Sequence, residues 1–144
     1  MKILNRRAPY EYQLLDRLEA GIALIGSEVK SVKTGRVDLS ASFGRIKDGQ
    51  AALLNANIPP LASGAPAGYD PTRRRQLLLN KNEIVAWETK AKQQKLTIVP
   101  TKMYTKGRLV KVEIALARPK RKFEKREAKR RKDIKREVER EMKG

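Results

Sequence analysis

A small domain of mainly β structure, closed into an antiparallel barrel with short helices embedded between its strands and followed by a basic arm, is the fold class this sequence predicts. Three observations carry it. Alternating apolar and polar residues recur at strand length, and short turns rich in Gly and Asp separate them. The last fifth of the chain lacks material for a core, since Arg118 to Gly144 holds 14 Lys or Arg against 6 Asp or Glu with few apolar residues. The 144 residues therefore divide into a body, 1–117, long enough for one core of ordinary size, and a tail, 118–144.

Taken in order, Tyr12 to Leu18 and Gly21 to Ile25 form a first strand pair, the least regular of three. Ser27 to Thr34 forms a short helix, with Ser27 as its cap and Gly35 just past its end. Ser42 to Lys47 and Gln50 to Ala56 flank Asp48-Gly49, a two-residue hairpin turn whose central positions both need positive φ. Asn57 to Thr72 contains Pro59, Pro60, Pro66 and Pro71 with Gly64 and Gly68, so neither helix nor strand ladder runs through it, and a loop this long is usually functional or mobile. Asn80-Lys81-Asn82-Glu83 is a capping box opening a helix to about Gln94, with Ile84, Trp87 and Ala91 on one face and Trp87 expected in the core, a nucleotide-stacking ring being the alternative. Leu96 to Tyr104 and Leu109 to Leu116 form the last hairpin across Lys106-Gly107-Arg108, with Val110, Val112, Ile114 and Leu116 turned inward. Six strands interrupted by helices in this way fit a barrel of the oligonucleotide-binding type.

Charge narrows the partners. The chain carries a formal +18, and the tail holds +8 of it against +10 on the much longer body, an asymmetry expected of a ligand for nucleic acid or membrane. Membrane is the weaker reading, because the tail's regularly spaced apolar residues are only Ile134, Val138 and Met142 and no run approaches the length of a spanning helix. With no signal-peptide pattern at the start and no Cys, the expectation is a cytoplasmic protein. Absence of His and Cys excludes the usual zinc, haem and iron–sulfur ligands, so no metal and no cofactor is expected. No paired carboxylates, Gly-rich phosphate loop or nucleophile-and-base set is visible, and no enzyme is expected.

The densest cationic patch of the body is Arg73-Arg74-Arg75. Three adjacent guanidiniums repel one another unless an anion neutralises them, and phosphate suits their planar forks; a merely solvated run is the plain alternative. Arg6-Arg7 precede Pro9-Tyr10-Glu11-Tyr12, setting cations beside two aromatic rings as single-stranded RNA readers do, although Tyr12 equally fits a core position. Glu28 has two readings: a partner of the helix dipole, or a carboxylate that accepts from base amino groups within a basic surface.

Read together, Gly26-Ser27-Glu28-Val29-Lys30-Ser31, Asp70-Pro71-Thr72-Arg73-Arg74-Arg75-Gln76-Leu77-Leu78-Leu79 and Lys122-Phe123-Glu124-Lys125-Arg126 resemble the small protein B (SmpB) family, which binds tmRNA in bacterial trans-translation. An Asn5-Arg6-Arg7-Ala8 start and the basic tail extend the resemblance over nearly the whole chain. It implies a monomeric adaptor rather than a catalyst, which clasps the tRNA-like domain of tmRNA and delivers it to stalled ribosomes. There it would meet the decoding centre and mRNA channel of the small subunit and, through the shared tmRNA, the elongation factor that delivers aminoacyl-tRNA.

RNA contacts carry over by resemblance onto Glu28, Lys30, Arg73, Arg74, Arg75, Leu77, Leu78 and Lys120, beside Arg6, Arg7 and Tyr10. The tail, disordered when free, would follow the empty mRNA path as a helix touching the ribosome through Lys122, Phe123, Lys125, Arg126, Lys129, Arg130, Ile134, Val138 and Met142. The chain departs from the family pattern at Tyr10, where a His is usual, at Phe123 for Tyr or His, at Pro119 for Gly and at Gln76 for Lys.

Overall fold

In the computed structural model, which describes residues 2–121, 126 and 129–136, the chain runs β1 (Lys2–Leu4), α1 (Arg7–Glu11), β2 (Tyr12–Ile22), α2 (Gly26–Lys33), β3 (Phe43–Lys47), β4 (Gln50–Leu54), β5 (Arg75–Leu78), α3 (Lys81–Gln94), β6 (Thr97–Lys106) and β7 (Leu109–Pro119). All pairings are antiparallel, in the order β1-β6-β3-β4-β5-β2-β7. β6 also pairs with β7, so the hydrogen-bonded order returns on itself. Two of its joins are thin: Gly44↔Ile98 alone links β3 to β6, and two residue pairs link β2 to β5. A regular closed barrel is therefore met only in part. The thin join at Gly44 has a steric basis, since a Cβ there would sit 2.6 Å from Ile98 Cγ2, and only glycine lets the two strands approach.

Local chemistry accounts for most elements. Asp48 and Gly49 adopt φ of 54° and 76° between β3 and β4, the paired positive values that a two-residue hairpin turn requires. The last hairpin holds its register from Lys106↔Leu109 to Thr97↔Ala117, with a bulge between Pro100 and Lys102. Its inward face is the expected one, with Val110, Val112, Ile114 and Leu116 all buried. Helix α3 is closed at its start by the reciprocal bonds Glu83 N–H to Asn80 Oδ1, 2.9 Å, and Asn80 N–H to Glu83 Oε1, 3.0 Å. Trp87 packs from it into the main core, the cluster that also holds Leu53, Ile58, Met103 and Val112.

Four features differ from the sequence reading. The expected pair Tyr12 to Leu18 and Gly21 to Ile25 is replaced by one strand, β2, ending at Ile22, because pairing with β7 runs from Tyr12↔Pro119 to Gly21↔Lys111, with a register shift between Leu14 and Arg17, and crosses the break expected at Glu19-Ala20. Gly21 serves close approach instead, as a Cβ there would lie 3.1 Å from Leu78 Cβ. Helix α1 was not expected. Its Pro9 lies in the first turn, where the missing N–H costs nothing, and Arg7 pairs with Glu11 one turn on. It covers a second small cluster of Ala8, Val99 and Ala117, against which Tyr12 packs, so of the two readings of that ring the structure supplies the packing one. The short strands β1 and β5 were also missed. Ser27, expected as the cap of α2, lies inside its first turn; Ile25 is the cap residue, while Gly35 does follow the helix with φ 77°.

Candidate nucleic-acid interface

The loop 57–72 does not float. Its backbone is tied down by the Asp38↔Asn57 bridge, by Ile58 N–H to Pro71 O, 3.0 Å, and by Ser31 Oγ of α2 donating to Pro59 O, 2.7 Å. Beneath it lies a buried ionic cluster. Glu28, the third residue of α2, is fully buried, and its Oε1 accepts from the Ile25 N–H at 3.0 Å, closing the helix start. Its Oε2 accepts from Arg75 Nε at 2.7 Å and from Arg73 Nε at 3.1 Å, while Arg73 Nη2 donates to Oε1. The Tyr69 hydroxyl stands 3.1 Å from Oε2 and 2.7 Å from Ile58 O.

Arg75 is fully buried as well, and each of its five N–H groups has an acceptor. Nε goes to Glu28, Nη1 to Ala56 O at 2.7 Å and Arg73 O at 3.1 Å, and Nη2 to Pro71 O at 2.9 Å and the Tyr69 hydroxyl oxygen at 3.1 Å. One side chain thus stitches the end of β4, the proline-rich loop and the approach to β5 onto α2. An unpaired charge here would cost several kcal/mol, which the near-complete satisfaction of both ions avoids.

Electrostatics follow from this packing. Burial by itself pushes the Glu28 carboxyl up, but hydrogen bonds from Arg73, the Ile25 N–H and Arg75, with the charge of Arg75, outweigh it and lower it to about 2. A depressed carboxyl stabilises the fold fully above its unfolded value and loses that contribution as pH falls through the folded one. The stability advantage of the wild type over Glu28→Gln should therefore shrink, by on the order of 3 kcal/mol, as pH is lowered from about 4.5 to about 2. Urea unfolding of both proteins across that range checks it, and a pH-independent difference would remove the ionised pair from the account.

The three adjacent arginines therefore differ. The anion that neutralises the patch is Glu28 of the same chain, and the direct RNA contacts expected of Glu28 and Arg75 are out of reach in this conformation because both are buried. Arg73 is about one-third exposed, with one edge on Glu28, and Arg74 is exposed. Leu77, also expected at the interface, faces the core at 3% exposure, whereas Leu78 points out at 55%, and Lys30 on α2 is exposed. The alternation Arg75, Leu77 inward and Gln76, Leu78 outward is that of a strand.

Arg6, Arg7 and Tyr10 are exposed, and with Pro9 they line an open cleft of about 850 Å³ whose other wall is Lys129, Lys132, Asp133 and Arg136. Lys120 donates its backbone N–H to Glu11 O and its Nζ to Pro9 O, both at 2.8 Å, pinning the chain's exit to α1. Residues 129–136 are helical with Lys129, Arg130 and Ile134 exposed, as is Arg126. Lys122, Phe123, Lys125, Val138 and Met142 lie outside the described residues. No group of three or more Asp or Glu side chains that could hold a metal occurs among the described residues, and no described helix is long and apolar enough to cross a membrane. Sequence reasoning missed Tyr69, since nothing local marks a loop tyrosine as the partner of a buried pair.

Comparison with known proteins gives one family. The family model for SmpB protein matches residues 2–144. The SsrA-binding protein of Sulfurihydrogenibium sp. is 51% identical over 140 residues, 97% of this chain and 92% of that protein. The SsrA-binding protein of Thermosipho melanesiensis is 46% identical over the full length of both. A solved structure described as "tmRNA-SmpB: a journey to the center of the bacterial ribosome" matches with a TM-score of 0.72 at 45% identity, covering 90% of this chain and 95% of that one.

Proposed function

The chain belongs to the SmpB family, and from that premise we propose that it is an RNA-binding adaptor of trans-translation. Its body binds the tRNA-like domain of tmRNA, brings it to ribosomes stalled on truncated messages, and meets the aminoacyl-tRNA-delivering elongation factor through that same RNA. It works by binding rather than turnover, in the cytoplasm. The strand circuit is read as an oligonucleotide-binding-type barrel, and the basic tail as the part that probes the empty mRNA channel, where ribosomal phosphates neutralise it.

The observation that carries the reading is the buried cluster at Glu28. It fixes α2 and the 73–75 segment to each other, so that Lys30, Arg73, Arg74 and Leu78 are held in one arrangement at the surface. Exposed cations on a rigid base give phosphate contact without the entropic cost of ordering the backbone.

Binding of this kind is salt-dependent, because each neutralised phosphate releases counterions. With something like six phosphate contacts, affinity for a transcript of the tRNA-like domain should fall roughly a thousandfold between about 50 and about 200 mM salt. Filter binding or fluorescence anisotropy measures it, and a change under about tenfold would sink the phosphate-dominated picture.

A further inference from the structure

Glu28 has its acceptor directions filled. Its two oxygens offer about four lone-pair directions, and the Ile25 N–H, two donors of Arg73 and Nε of Arg75 occupy them, with Arg75 Nη2 2.6 Å from Oε2. The Tyr69 hydroxyl has a single proton, placed between Ile58 O at 2.7 Å and Oε2 at 3.1 Å, and can take a direction that another donor vacates. One cation is enough to neutralise the charge, so one guanidinium can leave.

Burial decides which. Arg75 is fully buried with all its donors committed, and moving it would strand Ala56 O, Arg73 O and Pro71 O. Arg73 is 32% exposed. Beyond Glu28, the one acceptor of its side chain among the described residues is the neighbouring Arg74 O, at 3.3 Å. Its carbonyl stays fixed by Arg75 Nη1, so the side chain can rotate outward while the backbone holds.

We propose that Arg73 is a transferable cation: its guanidinium rests on Glu28 in the free protein and passes to a backbone phosphate when RNA binds, while Arg75 and Tyr69 remain on the carboxylate. This rests on the RNA-binding reading above. A phosphate offers the same two-pronged acceptor that Arg73 gives up, so the exchange replaces one charge-assisted fork with another. In the free protein the arrangement keeps the patch from carrying three uncompensated charges.

Arginine Nε–H resonances of the 15N-labelled full chain, titrated with a transcript of the tRNA-like domain of tmRNA, test it. Loss of a peak in Arg73→Gln assigns Arg73. The Arg73 resonance is expected to shift on saturation, while those of Arg75 Nε–H and the Ile25 amide stay close to their free positions. Arg73→Gln should also flatten the slope of log affinity against log salt by about 0.9, the share of one phosphate contact. An Arg73 resonance unmoved in the saturated complex, or an unchanged slope in Arg73→Gln, overturns the transfer and leaves the adaptor reading standing. A wild-type chain that does not bind this RNA at all overturns that reading and the transfer with it.

Discussion

Arg75→Met should lower the stability of the chain by roughly 3–5 kcal/mol, whereas Arg74→Met, next to it, should change it by less than about 0.5 kcal/mol. The difference comes from burial and not from charge. Met fills most of the volume of Arg75 but leaves Ala56 O and Pro71 O without its donors, and the Tyr69 hydroxyl oxygen without one. Glu28 keeps Arg73, so the carboxylate is not left without a counter-ion, which sets the expectation at the lower end of the range. RNA binding should drop with the fold around the loop, and Arg74→Met should weaken binding alone. Denaturant midpoints for the two variants decide it. Equal and small effects would mean that the arginines are interchangeable surface charges.

The second large effect is on function with the body intact. A chain ending after Arg121 should retain affinity for the tRNA-like domain to within about tenfold, since the Glu28 cluster that orders Lys30, Arg73 and Arg74 lies wholly within the body, and should fail to tag peptides on stalled ribosomes. The physical ground lies in residues 129–136, where six Lys or Arg accompany one acid in eight positions. Like charges at helical spacing oppose an isolated helix, so a polyanion that neutralises them should favour the helical form of this segment. Ile134, 54% exposed, has no core to fill, and Ile134→Asp should impair tagging while sparing tmRNA binding. Tagging on a truncated message in a reconstituted translation reaction measures both. Normal tagging by the shortened chain would exclude the tail from the ribosomal step, and lost tmRNA binding would move it into the primary RNA site.

What the sequence made legible follows from how local each signal is. The Asp48-Gly49 turn, the Asn80 and Glu83 box and the alternation from Val110 to Leu116 each act within a few residues, and each stands in the structure as read. The break expected between Leu18 and Gly21 fails because its alternative is non-local: β7 pairs with β2 straight across it. The same holds for the site. Arg73 to Arg75 is visible as a patch, but that Arg75 turns inward depends on Glu28, 47 residues away, and on Tyr69 in a loop without secondary structure. Glu28 did carry a local hint, as an acid in the first turn of a helix, and it acts there on the Ile25 N–H. Its larger part, pairing with two arginines, has no sequence signature.

We propose a dedicated tmRNA adaptor rather than a basic protein that holds ribosomal RNA. Capture of the tagged full chain from cells, followed by sequencing of the RNA it retains and quantification against ribosomes, tests it most directly. For an adaptor, tmRNA is expected to be enriched far above its cellular share, with the protein well below one copy per ribosome. Near-stoichiometric recovery with all ribosomes and no enrichment of tmRNA would contradict it.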